Sequence, residues 1–436
     1  MQKIRLIHIY NNRENYFMLE LNQIVNRKKT ILQINTVINS GSTGHIAEEI
    51  GQIVINNGWN SYIAYGRNDR HSKSDKIKIG NNLYTKFHGI ATRLFDRHGL
   101  ASTKATKQLI DKIDEIKPNI IHLHNIHGYY LNYKILFEYL NTASVHVVWT
   151  LHDCWPFTGH CVYFTYAQCD KWKTECFECP QKKKYPASFF IDRSRNNYRD
   201  KKECFLSVEN KLTLILVSDW LANLCAQSFF KDTSTKIIHN GIDTNIFKPI
   251  SSEDKKSVFI KYNINAPYLV LGVANAWSQR KGFADFIKLR SLLSKEYSIL
   301  LVGLSKEQIQ SLPQGVIGVL RTENVNELAE IYAAADVFLN LSVEETFGLT
   351  TIESLSSGTP AIVYNSSASP ELIAQGTGFV VNPQDFSMIK IRLDEIKEYG
   401  KKKYSTACRE HIMKHFRKED RYNEYLQLYT EVIKKN

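Results

Sequence analysis

Val337-Phe338-Leu339-Asn340, then Glu344-Glu345-Thr346-Phe347-Gly348-Leu349-Thr350-Thr351-Ile352-Glu353, then Ser357-Gly358-Thr359-Pro360, reads as a buried strand, a loop and a helix beginning near Gly348. A helix start presents unpaired N–H groups and partial positive charge, which suits a phosphate or a set of sugar hydroxyls. Glu345 falls on the loop and Glu353 a turn inside the helix, so the two acids face one crevice from different heights. A bare pair of acids is usually solvated helix surface. Phe-Gly-Leu between them and Gly-Thr-Pro after them favour a functional pair.

Outward from this stretch, short apolar strands alternate with helical patterns. Strands are expected at 268–273, 298–303, 337–339, 361–364 and 378–381, with helices between, as at Val325–Ala335. An earlier series opens at 29–35 and continues at 61–65, 119–124, 146–151 and 213–217. This alternation implies parallel sheets covered on both faces. The fold class is therefore α/β, with two Rossmann-like doubly wound domains and a cleft between them. Ligands of such sheets sit beyond the carboxyl ends of the strands. The expected boundaries are an N-terminal extension at 1–28 (with Met18 as an alternative start) and a first domain at 29–235 carrying a cysteine-rich insertion at 154–200. A second domain follows at 236–415, and a terminal helix at 416–436 packs back on the first domain. The polar run Ser251–Lys256 reads as the inter-domain linker.

The length, 436 residues, exceeds what one core holds. No window approaches 18 uninterrupted apolar residues, and the start lacks a signal-type apolar core, which points to a cytoplasmic protein. A net charge of +12 implies an anionic partner: a nucleotide, a phospholipid surface or a nucleic acid.

Several segments carry candidate chemistry. Gly41 and Gly44 form a turn before a helix, without the first glycine of the dinucleotide fingerprint; a plain tight turn accounts for them equally well. Arg280-Lys281-Gly282 follows the strand ending at Val273; a planar fork and a point charge there can neutralise a diphosphate. Phe87, Ile90, Ala91, Leu94 and Phe95 share a helical face flanked by Lys86, Arg93 and Arg97, as in a membrane-surface or acceptor-binding helix, or an ordinary core-facing one. Cys161, Cys169, Cys176 and Cys179 form C-x7-C-x6-C-x2-C, with Cys154 upstream. Four thiols with a C-x2-C knuckle suit structural zinc, reduced buried thiols and a redox pair being the alternatives. Cys204, Cys225 and Cys408 read as inert core thiols.

Asn240-Gly-Ile-Asp243, Arg280-Lys-Gly282, Glu345-Thr-Phe-Gly-Leu with Glu353, and Gly358-Thr-Pro360 together resemble the retaining glycosyltransferases of family 4, which have the GT-B fold. Asp96-Arg-His-Gly99, the run from His122 to Tyr130, and His152-Asp-Cys-Trp-Pro-Phe-Thr-Gly-His-Cys161 resemble the colanic-acid-type polysaccharide enzymes among them. The resemblance implies that Glu345 binds the donor sugar's hydroxyls, that Phe347, Gly348 and Leu349 offer backbone N–H groups, and that Glu353 holds the ribose. Arg280 and Lys281 would stabilise the leaving diphosphate in place of a metal, with no cofactor for catalysis. His152 would touch the transferred sugar, serve structure or act as an acid–base. Gly41 and Gly44 would admit the diphosphate, and Asp153, His124 and His127 would lie on the acceptor side. The family often has an Arg where this chain has Ala276.

The implied donor is a nucleoside-diphosphate sugar. The implied acceptor is a saccharide, free or in polyprenyl-diphosphate-linked form, at an anionic membrane surface, in the building of capsule, exopolysaccharide or O-antigen. Transfer would proceed with retention at the front face, since neither glutamate is placed as a nucleophile. One alternative is a GT-B sugar-nucleotide 2-epimerase. Another is a basic zinc-containing nucleic-acid binder, disfavoured because the aromatics are spread through the chain and the best signals are carboxylates; no nucleic-acid partner is expected.

Overall fold

The computed structural model describes residues 28–435. Residues 1–27 of the expected N-terminal extension, with the alternative start at Met18, lie outside them.

The apolar runs form the central strands, which are buried on both faces, and partly exposed edge strands complete each sheet. The first sheet comprises β1 Thr30–Val37, β2 Asn60–Arg67, β3 Asp75–Lys78, β4 Ile120–Leu123, β5 His146–Leu151, β6 Leu212–Leu216 and β7 Ser234–Ile237, in the order β3-β2-β1-β4-β5-β6-β7. The second comprises β8 Tyr268–Val273, β9 Tyr297–Val302, β10 Val316–Val319, β11 Val337–Asn340, β12 Ala361–Tyr364 and β13 Gly378–Val381, in the order β10-β9-β8-β11-β12-β13. All pairs are parallel. Chain order reverses between β1 and β4 in one sheet and between β8 and β11 in the other. These are the switch points where such sheets open a crevice for ligands. The register Val337↔Val270 and Phe338↔Leu271 sets the Glu345 loop beside the Arg280 loop.

Ser251–Lys256 is not a linker. Ser251 and Asp254 form a capping box that starts the helix Ser252–Lys261, and Lys255 reaches Asp336 at 2.7 Å. The polar residues that suggested a flexible connector are a helix cap and a solvated helix face. The connection between the sheets runs through the segment 238–251 before this helix.

The terminal helix Lys418–Lys435 lies on the first sheet's side. Tyr422, Tyr425, Leu428 and Tyr429 pack with Ile31, Ile46, Ile50 and Val54. The Tyr429 hydroxyl meets His122 Nδ1 at 2.7 Å, and Lys418 pairs with Glu49 at 3.1 Å. Ile242 N donates to Phe416 O at 2.8 Å, which fixes the point where the chain crosses back.

The helix Asn82–Phe95 is inverted. Its polar His88 and Thr92 face inward, His88 holding Gly99 N and Ser102 Oγ, while Leu83, Phe87, Ile90 and Phe95 face out. The insertion is mostly turns around Trp155, Phe157, Phe164 and Trp172. Asp96 anchors it by accepting from His160 Nδ1 at 2.7 Å and Arg193 N at 2.8 Å. No helix among the described residues is long and apolar enough to cross a membrane.

Candidate active site

The loop after β11 is clamped before it reaches its helix. Val343 N donates to Arg280 O at 3.0 Å, Glu345 N to Ser367 Oγ at 2.9 Å, and Ala368 N to Glu345 O at 3.2 Å. Gly348 then takes φ +106, a conformation open to glycine, and the helix Leu349–Ser356 starts from it without a side-chain cap. Thr351 N donates to Gly348 O at 2.9 Å, and the N–H groups of Leu349 and Thr350 are left for a ligand. Phe347 is buried against His239 and Phe416. That anchors the loop from below.

Lys281 Nζ pairs with Glu345 Oε1, both half-buried. One turn deeper, Glu353 Oε2 accepts from the Tyr332 hydroxyl at 2.8 Å. Burial raises the Glu353 carboxyl from 4.5 to about 7, against the lowering effect of that hydrogen bond. Glu353 and Thr350 line a cavity of about 710 Å³ with Asn275, Gly303, Ser305 and Arg321, at the carboxyl ends of β8, β9 and β10. That size suits a small-molecule ligand. Gly303 is required where it stands: a Cβ would lie 1.7 Å from Ala274 O.

Across the cleft, His152 follows β5. A chain of hydrogen bonds fixes its tautomer. Gln33 Nε2 donates to Ala47 O at 2.8 Å, so Gln33 Oε1 is the acceptor facing His124 Nε2 at 3.0 Å. His124 then carries its proton on Nε2, and its Nδ1 accepts from His152 Nε2 at 3.1 Å. His152 is left with Nδ1 as an acceptor. Burial lowers its pKa to about 4, so it is neutral near pH 7 and offers a lone pair to a hydroxyl. Beside it, His127 Nε2 donates to Asp153 Oδ2 at 2.8 Å, and the Tyr185 hydroxyl donates to His127 Nδ1 at 3.1 Å. Burial works to raise Asp153, but His127 and the Trp155 N–H hold it below the usual carboxylate value.

The two halves are tied together at this point. Thr346 Oγ1 donates to His152 O at 2.9 Å, and Tyr166 N donates to Glu344 Oε1 at 2.8 Å. Asp219 N and Trp220 N donate to Glu371 at 2.9 and 2.5 Å. Arg280 stacks 4.4 Å over the Tyr163 ring and bonds Glu344 O at 3.1 Å. Arg280 is thus turned toward the insertion, and Lys281 is the cation beside Glu345.

Of the residues expected from sequence, Glu345, Lys281, Glu353, Gly348 and Leu349 come together around one helix start, facing His152, His124, His127 and Asp153 across the cleft. Gly41 has open space where a Cβ would stand, but a Cβ on Gly44 would lie 3.1 Å from the Val37 side chain and 3.2 Å from Asn39 N, so Gly44 serves helix–strand contact. Asp219, His239 and Glu371 bring ligand atoms within 4.8 Å of one another, yet both Glu371 oxygens already accept backbone N–H groups. Sequence reading missed Glu344, Thr346, Tyr332 and Glu371. Glu344 touches Glu345 in sequence but has no spacing signal of its own.

Glu353 also sets a pH dependence. A ligand diol donates best to a carboxylate, so the affinity of a hydroxyl-bearing ligand in this cavity is expected to rise between about pH 6 and 8 and to be flat in Glu353→Gln, as read by calorimetry. The stability term has the opposite sign. The folded pKa lies above the unfolded one, so this group's stabilisation is complete below about pH 4.5 and lost as pH rises through about 7. The Tm of wild type should therefore fall relative to Glu353→Gln over that window.

Residues 267–396 match the family model described as Glycosyl transferases group 1. A protein named as a colanic acid biosynthesis glycosyl transferase, WcaC, of Escherichia coli (strain K12) is 28% identical over 230 residues, covering 49% of this chain and 54% of that protein. The match thus spans about half the length of that relative. Sucrose-phosphate synthase from Thermosynechococcus elongatus superposes with a TM-score of 0.71 at 18% identity, covering 94% of this chain and all of that one. HepE of Anabaena, solved in complex with UDP, superposes with a TM-score of 0.64 at 15% identity, covering 92% of this chain and 100% of that one. The fold is GT-B.

Proposed function

We propose that this protein transfers a sugar, with retention, from a nucleoside-diphosphate sugar to a saccharide acceptor in polysaccharide biosynthesis. One observation carries the reading: Glu345 paired with Lys281 at a helix start, with Glu353 lining the adjoining cavity and His152 on the facing wall. The name of WcaC supports polysaccharide synthesis, and the UDP complex of HepE supports a nucleotide in the same fold.

Glu353 holds the ribose hydroxyls, and the first N–H groups of Leu349–Ser356 meet the diphosphate. Lys281 stabilises charge on the leaving diphosphate, which takes the acceptor hydroxyl's proton as the sugar bond breaks. Glu345 accepts hydroxyls of the donor sugar. His152 Nδ1 accepts another, and its neutral ring takes no part as an acid.

The acceptor is lipid-linked and met at the cytoplasmic membrane face. Leu83, Phe87, Ile90, Phe95, Phe189 and Phe190 are each at least half exposed. Phe189 N donates to Arg93 O at 2.8 Å, which joins the two segments into one patch. Lys86, Arg93, Arg97, Lys183 and Lys184 supply its positive charge. Apolar side chains among exposed cations suit an anionic interface. Sedimentation with phosphatidylglycerol vesicles is expected to carry the protein down at low salt, and Phe87→Ser/Phe190→Ser to weaken this at least tenfold; equal binding to neutral vesicles contradicts the charge argument.

The function is tested by incubating purified protein with a panel of labelled nucleotide sugars and membrane lipid extract. One donor should label the lipid-extractable fraction, with the donor's anomeric configuration kept in the product. Consumption or epimerisation of a donor without any acceptor would overturn the reading.

A further inference from the structure

The cysteine-rich insertion has a centre that the transfer chemistry does not use. Cys161, Cys169, Cys176 and Cys179 all line one small cavity of about 20 Å³, walled also by His160, Phe164 and Trp172. That is room for a single ion or water. Cys161 donates a hydrogen bond to the Cys179 sulfur. Backbone N–H groups point at two of the sulfurs: Gly159 N lies 3.2 Å from Cys176 Sγ, and the Gln181 N–H bonds Cys179. Such bonds favour thiolate over thiol. The rest of the lining includes Thr158, Lys171, Phe177 and Pro180. All eight cysteines are free.

The surroundings ask for a staple. Between Thr158 and Asp192 the only helix is the 3-10 turn Lys171–Lys173, and the chain is otherwise turns and bends. A segment this irregular has little apolar area with which to hold one conformation. It nevertheless supplies Tyr163, Tyr166 and Tyr185 to the cleft, where they meet Arg280, Glu344 and His127.

We propose that Cys161, Cys169, Cys176 and Cys179 bind one structural Zn²⁺ that fixes the insertion against the cleft. The donor set is four sulfurs with a C-x2-C knuckle, which zinc takes as a closed tetrahedral site with no open position. Binding releases the remaining thiol protons and involves no electron transfer. Zinc–sulfur bonds near 2.3 Å set the sulfurs about 3.8 Å apart. No three of these sulfurs stand within 4.8 Å of one another in this structure, so the proposal requires the Cys169 and Cys176–Cys179 turns to close on the ion. The inference is independent of the glycosyl-transfer reading.

The test is elemental analysis of full-length protein purified in reductant without chelator. About one zinc per chain is expected, retained through dialysis and released as a mercurial titrates thiols. Cys225→Ser, altered at a buried thiol elsewhere in the first domain, should keep its zinc, and Cys176→Ser should lose it. Should Cys176→Ser fail to fold, cobalt loading of the apo wild type decides: thiolate-to-cobalt charge transfer with tetrahedral bands supports the site. Fewer than 0.2 zinc per chain with no cobalt spectrum overturns it, as does a Cys161–Cys179 disulfide in protein that carries no zinc.

Discussion

Glu345→Ala is expected to lower transfer at least about a thousandfold while leaving the fold intact. The fold survives because the loop is held by backbone groups the substitution keeps: Glu345 N to Ser367 Oγ and Ala368 N to Glu345 O. Phe347 stays buried beneath it. Activity falls for two reasons. The carboxylate proposed to accept the donor sugar's hydroxyls is gone, and Lys281 loses the partner that holds its ammonium in place. Losing one preorganised electrostatic contact costs roughly 10²–10³ in kcat, and here two are disturbed together. Glu345→Gln keeps the shape without the charge and should fall between wild type and alanine. Thermal unfolding and single-turnover rates on the same preparations measure both halves of the expectation. Near-normal turnover in a well-folded Glu345→Ala would sink the assignment.

Lys281→Met should lower kcat by roughly 10²–10³, with a smaller change in KM, because its charge is proposed to act on the diphosphate as it leaves. Lys281→Arg should not restore the rate, since a planar fork does not reproduce a point charge. Arg280→Met should behave differently. Its guanidinium spans Tyr163 and Glu344, so its loss should loosen the contact between insertion and loop and raise KM more than it lowers kcat. The double variant Glu345→Ala/Lys281→Met should be little worse than either single one, because the residues act as a pair. Full additivity would show that they act separately.

Most of the fold was legible because buried parallel strands are short apolar runs. The strands that sequence reading passed over were β3, β7 and β10, each at a sheet edge. Asp75–Lys78 and Ser234–Ile237 are polar because one side of an edge strand meets water, and Val316–Val319 carries a glycine. The linker at 251–256 misled for a related reason: a helix cap and a loop draw on the same residues, Ser, Asp and Glu. At the site, spacing disclosed the residues that share one element. It could not disclose that Arg280 stacks on Tyr163, that Glu344 joins its loop to the insertion, or that Gln33 fixes the tautomer of His152 through His124, since those contacts join positions far apart in the chain. The helix Asn82–Phe95 showed its apolar stripe in sequence, but whether the stripe faced inward depended on His88 finding partners beneath it.

Calorimetric titration of UDP, GDP and ADP, and of their sugars, into wild type and Glu353→Ala tests the central claim most directly. One nucleotide series should bind wild type at a single site per chain, the sugar-bearing form more tightly, and Glu353→Ala should weaken binding at least tenfold at pH 8. If no nucleotide binds wild type, or if binding is unchanged in Glu353→Ala, the cavity beside Glu353 is not a donor site and the account fails.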